Sequence, residues 1–199
     1  MKQTSVKLAN LQAVEWFLTE EAKATSAMHE TERKALWHLC QDVPEGGTVV
    51  EVGCQLGCST TIIATVGYMR GYRTIHVDPY TQQPTYLNGW TNMMLKIVGD
   101  WDHRFTLLCG RTEQMIWELD RLLRDGIDMA FVDGDHDERP VAIDLQVVAS
   151  RIKHNGVLVA HDYTEQAYPG VARAIDPFVS QGWSKIGQFH SMGAWRRQK

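Results

Sequence analysis

The sequence has no long apolar run, no CxxC pair of cysteines and no excess of positive charge. No stretch approaches the roughly 18 apolar residues of a membrane helix, and no apolar segment follows residues 1–5 as in a secretory signal. The four cysteines form no CxxC pair, which argues against a zinc site and against a disulfide framework. A formal net charge of −4 without a basic stripe gives no case for nucleic acid. We expect a cytoplasmic protein with neither a membrane nor a nucleic-acid partner.

The composition and the length are those of one globular domain. The chain has 199 residues, of which 44% are hydrophobic and 22% are charged. No internal repeat or low-complexity segment divides it. We expect a single domain over 1–199, with an N-terminal helical cap at 1–45 and a ligand-binding core at 46–199. The sequence leaves open whether the first 25 residues cover the site or form a contact in a homo-oligomer.

Strands and helices alternate along the core. Short β-branched runs predict strands, and apolar positions three or four residues apart predict helices. The predicted strands are 48–52, 74–77, 105–109, 127–132, 157–160, 183–189 and 192–196, and the predicted helices are 8–22, 31–41, 58–68, 89–98, 112–124, 139–153 and 171–181. Thr112 is the predicted N-cap of its helix, and Asn155–Gly156 is predicted to end the helix 139–153. This order predicts an α/β fold: a Rossmann-like, doubly wound, mostly parallel seven-stranded sheet with a C-terminal antiparallel hairpin.

The first strand leads into the loop Gly53-x-x-x-Gly57, which differs from the G-x-G-x-x-G of dinucleotide binders. The glycine that is missing from the middle is the one that lets a pyrophosphate approach the backbone. Glu51 suits an ammonium group, and Ser59 at the start of the next helix suits a carboxylate. Asp78 follows strand two, where an acidic residue can accept both ribose hydroxyls. A ligand with a ribose, an amino acid and no phosphate is S-adenosylmethionine. The alternative is that the glycines only shape a turn and Asp78 only caps one.

Polar side chains also follow strands four and five. Asp133 ends strand four directly and His136 lies on the loop after it, whereas His161 and Asp162 follow strand five. Because neighbouring strands end at the same edge of a sheet, these residues should reach one ligand. Asp133 and Asp162 offer oxygen ligands for Mg²⁺, and His136 suits a general base that removes a hydroxyl proton. His161 either belongs to this site or only hydrogen-bonds a neighbouring loop.

With these motifs the sequence resembles the class I S-adenosylmethionine-dependent methyltransferases. It is similar to a small family that includes macrolide-sugar and cephalosporin-pathway O-methyltransferases, and distantly similar to catechol O-methyltransferase. The similarity covers about residues 26–197 and is carried by Glu51-Val52-Gly53 through Ser59-Thr60, His76-Val77-Asp78-Pro79, Phe131-Val132-Asp133-Gly134-Asp135-His136, Leu158-Val159-Ala160-His161-Asp162-Tyr163 and Pro169-Gly170-Val171.

The resemblance implies a role for each matching residue. Cofactor contacts are implied at the methionine moiety for Glu51, Gly53, Gly57 and Ser59, at the ribose for Asp78, near the adenine for Thr112, over the cofactor for Met28 and near the sulfonium for Asp133. His136 matches the seat of the catalytic base, and Asp133 and Asp162 match metal ligands. The predicted catalytic residues are therefore His136 and Asp133.

One position departs from the family pattern. His161 stands where metal-dependent members carry an acidic ligand. The predicted ligands of a divalent metal, Mg²⁺ or Mn²⁺, are Asp133, His161 and Asp162. A histidine favours Mn²⁺, Fe²⁺ or Zn²⁺ over Mg²⁺, and it is equally compatible with the absence of a metal.

The expected function is methyl transfer from S-adenosylmethionine to a hydroxyl of a small-molecule acceptor, such as a sugar or a natural product. Two alternatives stay open: a nicotinamide-dependent oxidoreductase on the same fold, against which the glycine loop argues, and a non-catalytic protein that binds S-adenosylmethionine. The sequence does not identify the acceptor or distinguish O- from N-methylation.

Overall fold

The structure is a computed structural model that describes residues 28–80 and 104–198. The predicted helices 8–22 and 89–98 lie outside the described residues, as does most of the segment 1–45. The division of the chain into 1–45 and 46–199 therefore stays a prediction.

Within these ranges the chain forms seven strands and five α-helices. The strands are β1 (Thr48–Val52), β2 (Arg73–Asp78), β3 (Phe105–Cys109), β4 (Ile127–Val132), β5 (Ile152–Ala160), β6 (Trp183–Phe189) and β7 (Met192–Arg197), and the helices are α1 (Glu30–Gln41), α2 (Cys58–Arg70), α3 (Ile116–Leu122), α4 (Glu138–Val147) and α5 (Pro169–Val179). None of these helices is both long enough and apolar enough to cross a membrane. All four cysteines lie in the described ranges as free thiols, with Cys40 and Cys54 buried and Cys109 exposed.

The seven strands form one sheet in the order β3-β2-β1-β4-β5-β7-β6. β1 to β5 pair in parallel, whereas β7 is antiparallel to both β5 and β6. The predicted parallel sheet with a C-terminal antiparallel hairpin is confirmed. Because β1 lies between β2 and β4, the order of the strands reverses at β1, and a crevice opens at the carboxyl ends of β1 and β4.

Helices cover both faces of the sheet. Val49 of β1 packs in an apolar cluster that includes residues of α1 and α2, whereas Val50 packs in a second cluster with residues of α3, α4 and α5. All five residues of β1 are buried, as expected for a parallel strand that is covered on both sides. The two clusters hold the strand ends in fixed relative positions.

Two predicted helices differ from the structure by more than a shift of one or two residues at their ends. The predicted helix 139–153 is shorter, and β5 begins at Ile152 rather than at 157. Asn155–Gly156 does not end the helix but lies inside β5, where Asn155 has a φ of 66° and the pairing with β4 shifts register. The dipeptide therefore marks an irregularity within a strand.

The predicted helix 112–124 is divided into a 3₁₀ turn at Thr112–Gln114 and the separate helix α3. The prediction that Thr112 is the N-cap is wrong, because its hydroxyl donates to the Asp144 carboxylate on α4. Threonine hydroxyls bond to backbone or side-chain partners according to what lies nearby. Here the partner comes from a distant part of the chain.

Candidate active site

A cleft of about 1030 Å³ opens at the carboxyl ends of β1, β2, β4 and β5. Its volume is at the upper end of ordinary ligand pockets. Its lining includes most of the predicted site residues, namely Met28, Gly53, Ser59, Asp78, Thr112, Asp133, His136, His161 and Asp162. Glu51 and Gly57 lie outside this lining. The sequence-predicted residues thus converge on one cleft, with two exceptions.

The glycine loop lies against the loop that follows β4. Gly53 has a φ of 86°, and a Cβ atom there would lie 2.0 Å from the backbone oxygen of Asp133. Any side chain at Gly53 would therefore separate the two loops. Gly57 has a φ of 87° and is the N-cap of α2. The spacing of these glycines serves a close backbone approach and a sharp turn into the helix.

Glu51 lies beneath the cleft, with no exposed surface. Its carboxylate accepts hydrogen bonds from Ser59 Oγ at 2.5 Å and Thr60 Oγ1 at 2.7 Å, and His76 Nδ1 lies 2.5 Å away. These contacts tie the end of β1 to the first turn of α2. A direct contact between Glu51 and a ligand ammonium stays a prediction. In the structure Glu51 supports the wall of the cleft through Ser59.

Asp78 closes the glycine loop from the end of β2. Its carboxylate accepts hydrogen bonds from the backbone N–H groups of Cys54 at 2.8 Å, Gln55 at 3.1 Å and Tyr80 at 2.8 Å. The side chain also lines the cleft, and a carboxylate offers about four lone-pair positions. Asp78 is therefore a loop cap in this structure, and its contact with ribose hydroxyls stays a prediction.

Two other predicted cofactor residues line the cleft and are buried. Met28 precedes α1, and its backbone oxygen accepts a hydrogen bond from Arg33 at 2.5 Å. Thr112 donates to Asp144, which also lines the cleft. Burial, reinforced by nearby Glu113, raises the pKa of Asp144 to about 6 despite this hydrogen bond.

The predicted general base contacts a predicted metal ligand. His136 Nε2 lies 3.0 Å from Asp162 Oδ2. Because a carboxylate only accepts hydrogen bonds, Nε2 carries the proton and Nδ1 of the neutral ring keeps its lone pair. The bond to Asp162 raises the pKa of His136, although partial burial opposes the shift. The arrangement is that of a base whose orientation is set by a carboxylate.

His161 lies behind this pair and is almost fully buried. Its Nε2 lies 3.2 Å from Glu32 Oε2, and its Nδ1 lies 3.2 Å from one oxygen of Asp133 and one of Asp162. Neither of the two Nδ1 contacts has hydrogen-bond alignment. Burial opposes a charge on the ring, but the surrounding carboxylates prevail and raise the pKa of His161 to about 12. The ring is thus buried among three carboxylates, which favour its charged form.

The arrangement of charges bears on the predicted metal site. Both nitrogens of His161 lie 3.2 Å from carboxylate oxygens, and the role of His161 as a metal ligand stays a prediction. Asp133, His136 and Asp162 bring three ligand atoms within 4.8 Å of one another. His136 is therefore a further candidate ligand for a divalent cation. Burial raises the pKa of Asp133, and the bonds to His136 and His161 lower the pKa of Asp162 despite its burial.

Three residues that shape the site were not predicted from the sequence. Glu32 of α1 contacts His161, Asp144 lines the cleft, and Tyr168 stacks on His136 with ring centroids 4.1 Å apart. Glu32 is the N3 residue of a capping box and its carboxylate accepts the His29 N–H, but a histidine at the N-cap is not part of the usual sequence signature. Asp144 and Tyr168 belong to no recognisable motif.

Comparisons with known proteins point to one family. A family model described as a methyltransferase domain matches residues 50–163, which is more than half of the chain. No curated protein sequence matches the chain.

Among solved structures, an O-methyltransferase from Bacillus cereus in complex with S-adenosylhomocysteine is 15% identical, with 94% of this chain and 91% of that one covered and a TM-score of 0.71. TomG from Streptomyces achromogenes, an O-methyltransferase of tomaymycin synthesis in complex with S-adenosylmethionine, is 14% identical, with 94% and 90% covered and a TM-score of 0.69. CalS11, a TDP-rhamnose 3'-O-methyltransferase of calicheamicin biosynthesis, is 15% identical, with 98% and 94% covered and a TM-score of 0.65. At these identities the likeness shows the fold. Together with the family model, which spans the strands bearing Asp78 and Asp133, it leads to one conclusion: the chain belongs to this family of methyltransferases.

Proposed function

We propose that this methyltransferase uses S-adenosylmethionine as methyl donor and methylates a hydroxyl oxygen of a small molecule, such as a sugar or a natural product. The observation that supports the proposal most is the 3.0 Å contact between His136 and Asp162 on the wall of the cleft. A hydroxyl must lose its proton when it is methylated, and an oriented histidine is suited to remove it. The O-methyltransferases among the structural neighbours support the same choice.

The cleft is suited to the proposed donor on the side of the glycine loop. Gly53, Ser59 and Asp78 line one wall. The loop lacks the middle glycine that lets a pyrophosphate approach the backbone in dinucleotide-binding proteins. S-adenosylmethionine supplies an electrophilic methyl group when it is bound. Gly53, Ser59 and Asp78 would hold the donor, with Met28 and Thr112 contacting its outer parts. The nicotinamide alternative has no support from this loop or from the family model.

The reaction end of the cleft supplies the base. Nδ1 of His136 takes the proton of the acceptor hydroxyl, while Nε2–H stays bonded to Asp162. The carboxylate of Asp162 thereby stabilises the positive charge that develops on the ring, and Tyr168 limits its rotation by stacking. Asp133 adds a carboxylate to the same wall, where it would face the positive sulfonium. Holding the acceptor oxygen in line with the methyl group would contribute much of the acceleration.

The test measures methyl transfer with radiolabelled S-adenosylmethionine and a panel of hydroxylated acceptors that includes TDP-rhamnose, caffeoyl-CoA and catechol. His136→Gln should lower turnover by about 10²–10⁴-fold, because the general base is lost. Its affinity for S-adenosylhomocysteine in isothermal titration should stay within twofold. Since the pKa of His136 is raised and the neutral ring is the active form, the wild-type rate should rise with pH above the usual histidine range. The variant should lack this rise.

The control is His154→Gln, which changes an exposed histidine of β5 outside the cleft and should keep full turnover. Binding of NAD without binding of S-adenosylhomocysteine would refute the proposal. Binding of S-adenosylhomocysteine without turnover on any acceptor would favour the non-catalytic alternative. A parallel reaction with EDTA tests the metal prediction: loss of turnover that Mn²⁺ or Mg²⁺ restores would assign Asp133, His136 and Asp162 to a cation.

A further inference from the structure

Glu32 is a buried carboxylate whose contacts exceed what a helix cap requires. It lies in the first turn of α1 and is 1% exposed. One oxygen, Oε2, accepts the His29 N–H at 2.7 Å, which completes the capping box. The same oxygen lies 3.2 Å from His161 Nε2, and Oε1 accepts the backbone N–H and the hydroxyl of Ser191 at 3.0 and 2.6 Å. Burying a charge is costly unless it is paired, and a cap alone would leave this carboxylate at the surface.

The contact with Glu32 fixes the orientation of the His161 ring. Nε2 of the ring has one carboxylate partner, Glu32. Nδ1 lies close to both Asp133 and Asp162 but is aligned with neither for a hydrogen bond. The directed hydrogen bond is thus the one to Glu32. Without it, the ring would keep only two polar contacts, both at Nδ1 and neither aligned as a hydrogen bond.

His161 in turn helps to hold Asp162 against the general base. Asp162 has a φ of 52°, a backbone conformation that non-glycine residues adopt only when their surroundings enforce it. Its side chain lies 3.2 Å from His161 Nδ1, 3.0 Å from His136 Nε2 and 3.3 Å from Ser191 Oγ. A continuous path therefore runs from Glu32 through His161 and Asp162 to His136.

We propose that Glu32 is a positioning residue for methyl transfer, which orients the His161 ring and through it keeps Asp162 in contact with His136. The inference rests on the proposed function, since it assigns a purpose to the orientation of His136. The simpler alternative is that Glu32 only attaches α1 to the turn before β7. The two interpretations differ in whether a substitution of Glu32 lowers kcat or lowers only the free energy of unfolding.

The test compares Glu32→Gln with Leu39→Ala. Glu32→Gln keeps the size of the side chain but replaces the carboxylate oxygens that face His161 and Ser191 by a single amide oxygen and an amide nitrogen. We expect kcat to fall by about 10–100-fold, the range found when the hydrogen-bond partner behind a metal ligand is lost, with KM and the affinity for S-adenosylhomocysteine within threefold. Leu39→Ala is the matched control: Leu39 is a buried residue of α1 that packs in the apolar cluster, and its loss should lower stability while kcat stays within twofold.

A second measurement needs no acceptor. The rings of His161 and Phe131 have centroids 6.4 Å apart. In the wild type, labelled with isotopes at histidine and phenylalanine, we expect nuclear Overhauser contacts between these rings. In Glu32→Gln these contacts should weaken or split among several ring orientations, and in Leu39→Ala they should persist. Glu32→Asp, which retracts the carboxylate by one methylene, should show the same loss if Glu32→Gln does not fold.

The outcomes separate the two proposals. If the wild type neither binds S-adenosylhomocysteine nor methylates an acceptor, the proposed function fails, and the positioning role fails with it. If the wild type is active but Glu32→Gln keeps its kcat, or loses it only in proportion to its stability as Leu39→Ala does, the positioning role alone is refuted. Unchanged ring contacts in both Glu32 variants would refute it as well.

Discussion

Asp144 shows how a single buried carboxylate affects the stability of the whole protein. Its folded-state pKa of about 6 lies above the ordinary value of 3.8, chiefly because the side chain is buried. A raised carboxylate pKa means that the fold favours the protonated form. The contribution of protonated Asp144 to the free energy of unfolding is therefore fully present below pH 3.8, and it is lost as the pH rises from there through about 6. Asp144→Asn should consequently stabilise the protein at pH 8 by about 1–3 kcal/mol.

The measurement is urea unfolding of Asp144→Asn and the wild type at pH 5 and pH 8. The asparagine can still accept the Thr112 hydrogen bond, so the gain should be larger at pH 8 than at pH 5. The control is Asp125→Asn, which removes one charge from the exposed surface before β4. A loss of stability at pH 8 would contradict the sign of this prediction.

Single residues also show what the sequence can and cannot establish. Asp133, His136 and Asp162 were found because each follows an apolar strand, and parallel strands end at one edge of a sheet. The environment of Glu51 was not predictable, because its burial depends on Thr60 and on His76 of another strand. The role of Glu32 was hidden for a similar reason: its partners lie more than a hundred residues away.

Among the structural elements, the glycine loop is the one in which a substitution should disturb the structure most. In Gly53→Ala the new methyl group would overlap the backbone oxygen of Asp133 at 2.0 Å. Backbone atoms cannot give way as a flexible side chain can, so the loops after β1 and β4 must separate. We expect a loss of at least about 2 kcal/mol of unfolding free energy. Binding of S-adenosylhomocysteine should weaken at least tenfold in isothermal titration.

Gly46→Ala is the matched control for this prediction. Gly46 also has a positive φ, 72°, but nothing lies within 4 Å of a Cβ atom built there. The free energy of unfolding of this variant should fall only by the conformational cost of a left-handed alanine, about 1–2 kcal/mol. The variant should bind S-adenosylhomocysteine normally. Equal binding by the two variants would show that the contact between the loops does not shape the cofactor wall.

Elements were predicted best where local patterns decide them. The five parallel strands and the hairpin have strong β-branched or alternating patterns, and the structure contains all seven. The boundary between α4 and β5 was predicted wrongly, because Asn155–Gly156 is a common helix stop that here accommodates a register shift against β4. The same dipeptide suits both uses, and only the neighbouring strand selects between them.

For the molecule as a whole, ligand binding should be visible as stability. S-adenosylhomocysteine at 100 times its dissociation constant should add about 2.7 kcal/mol. For a chain of 199 residues this corresponds to a rise in melting temperature of about 5–10 °C. Differential scanning calorimetry with S-adenosylhomocysteine and with NAD measures the effect. A rise with NAD and none with S-adenosylhomocysteine would contradict both the predicted ligand and the proposed function.

The α/β architecture of the whole molecule could be predicted from the alternation of strand and helix patterns along the sequence. Parallel strands that alternate with predicted helices require crossover connections, and right-handed crossovers place helices on both faces. The order of the strands could not be predicted in the same way, because periodicity indicates which face of a strand is buried but not which strand lies beside it. The polar groups at the carboxyl edge supplied part of this information, since Asp78 and Asp133 were expected to reach one ligand.

The hydrogen bonds between Glu32 and Ser191 can form only late in the synthesis of the chain. These residues are 159 positions apart in the sequence. At ordinary rates of translation, about 10–30 s pass between the synthesis of the first residue and that of the second. At the end of this interval the glycine loop and the loop after β4 have been made, while the carboxylate of Glu32 still lacks the two donors of Ser191. On the positioning role proposed above, a ribosome-bound chain would complete the loops of its cofactor wall before the contacts that orient its base, so full activity would have to await the synthesis of the final hairpin.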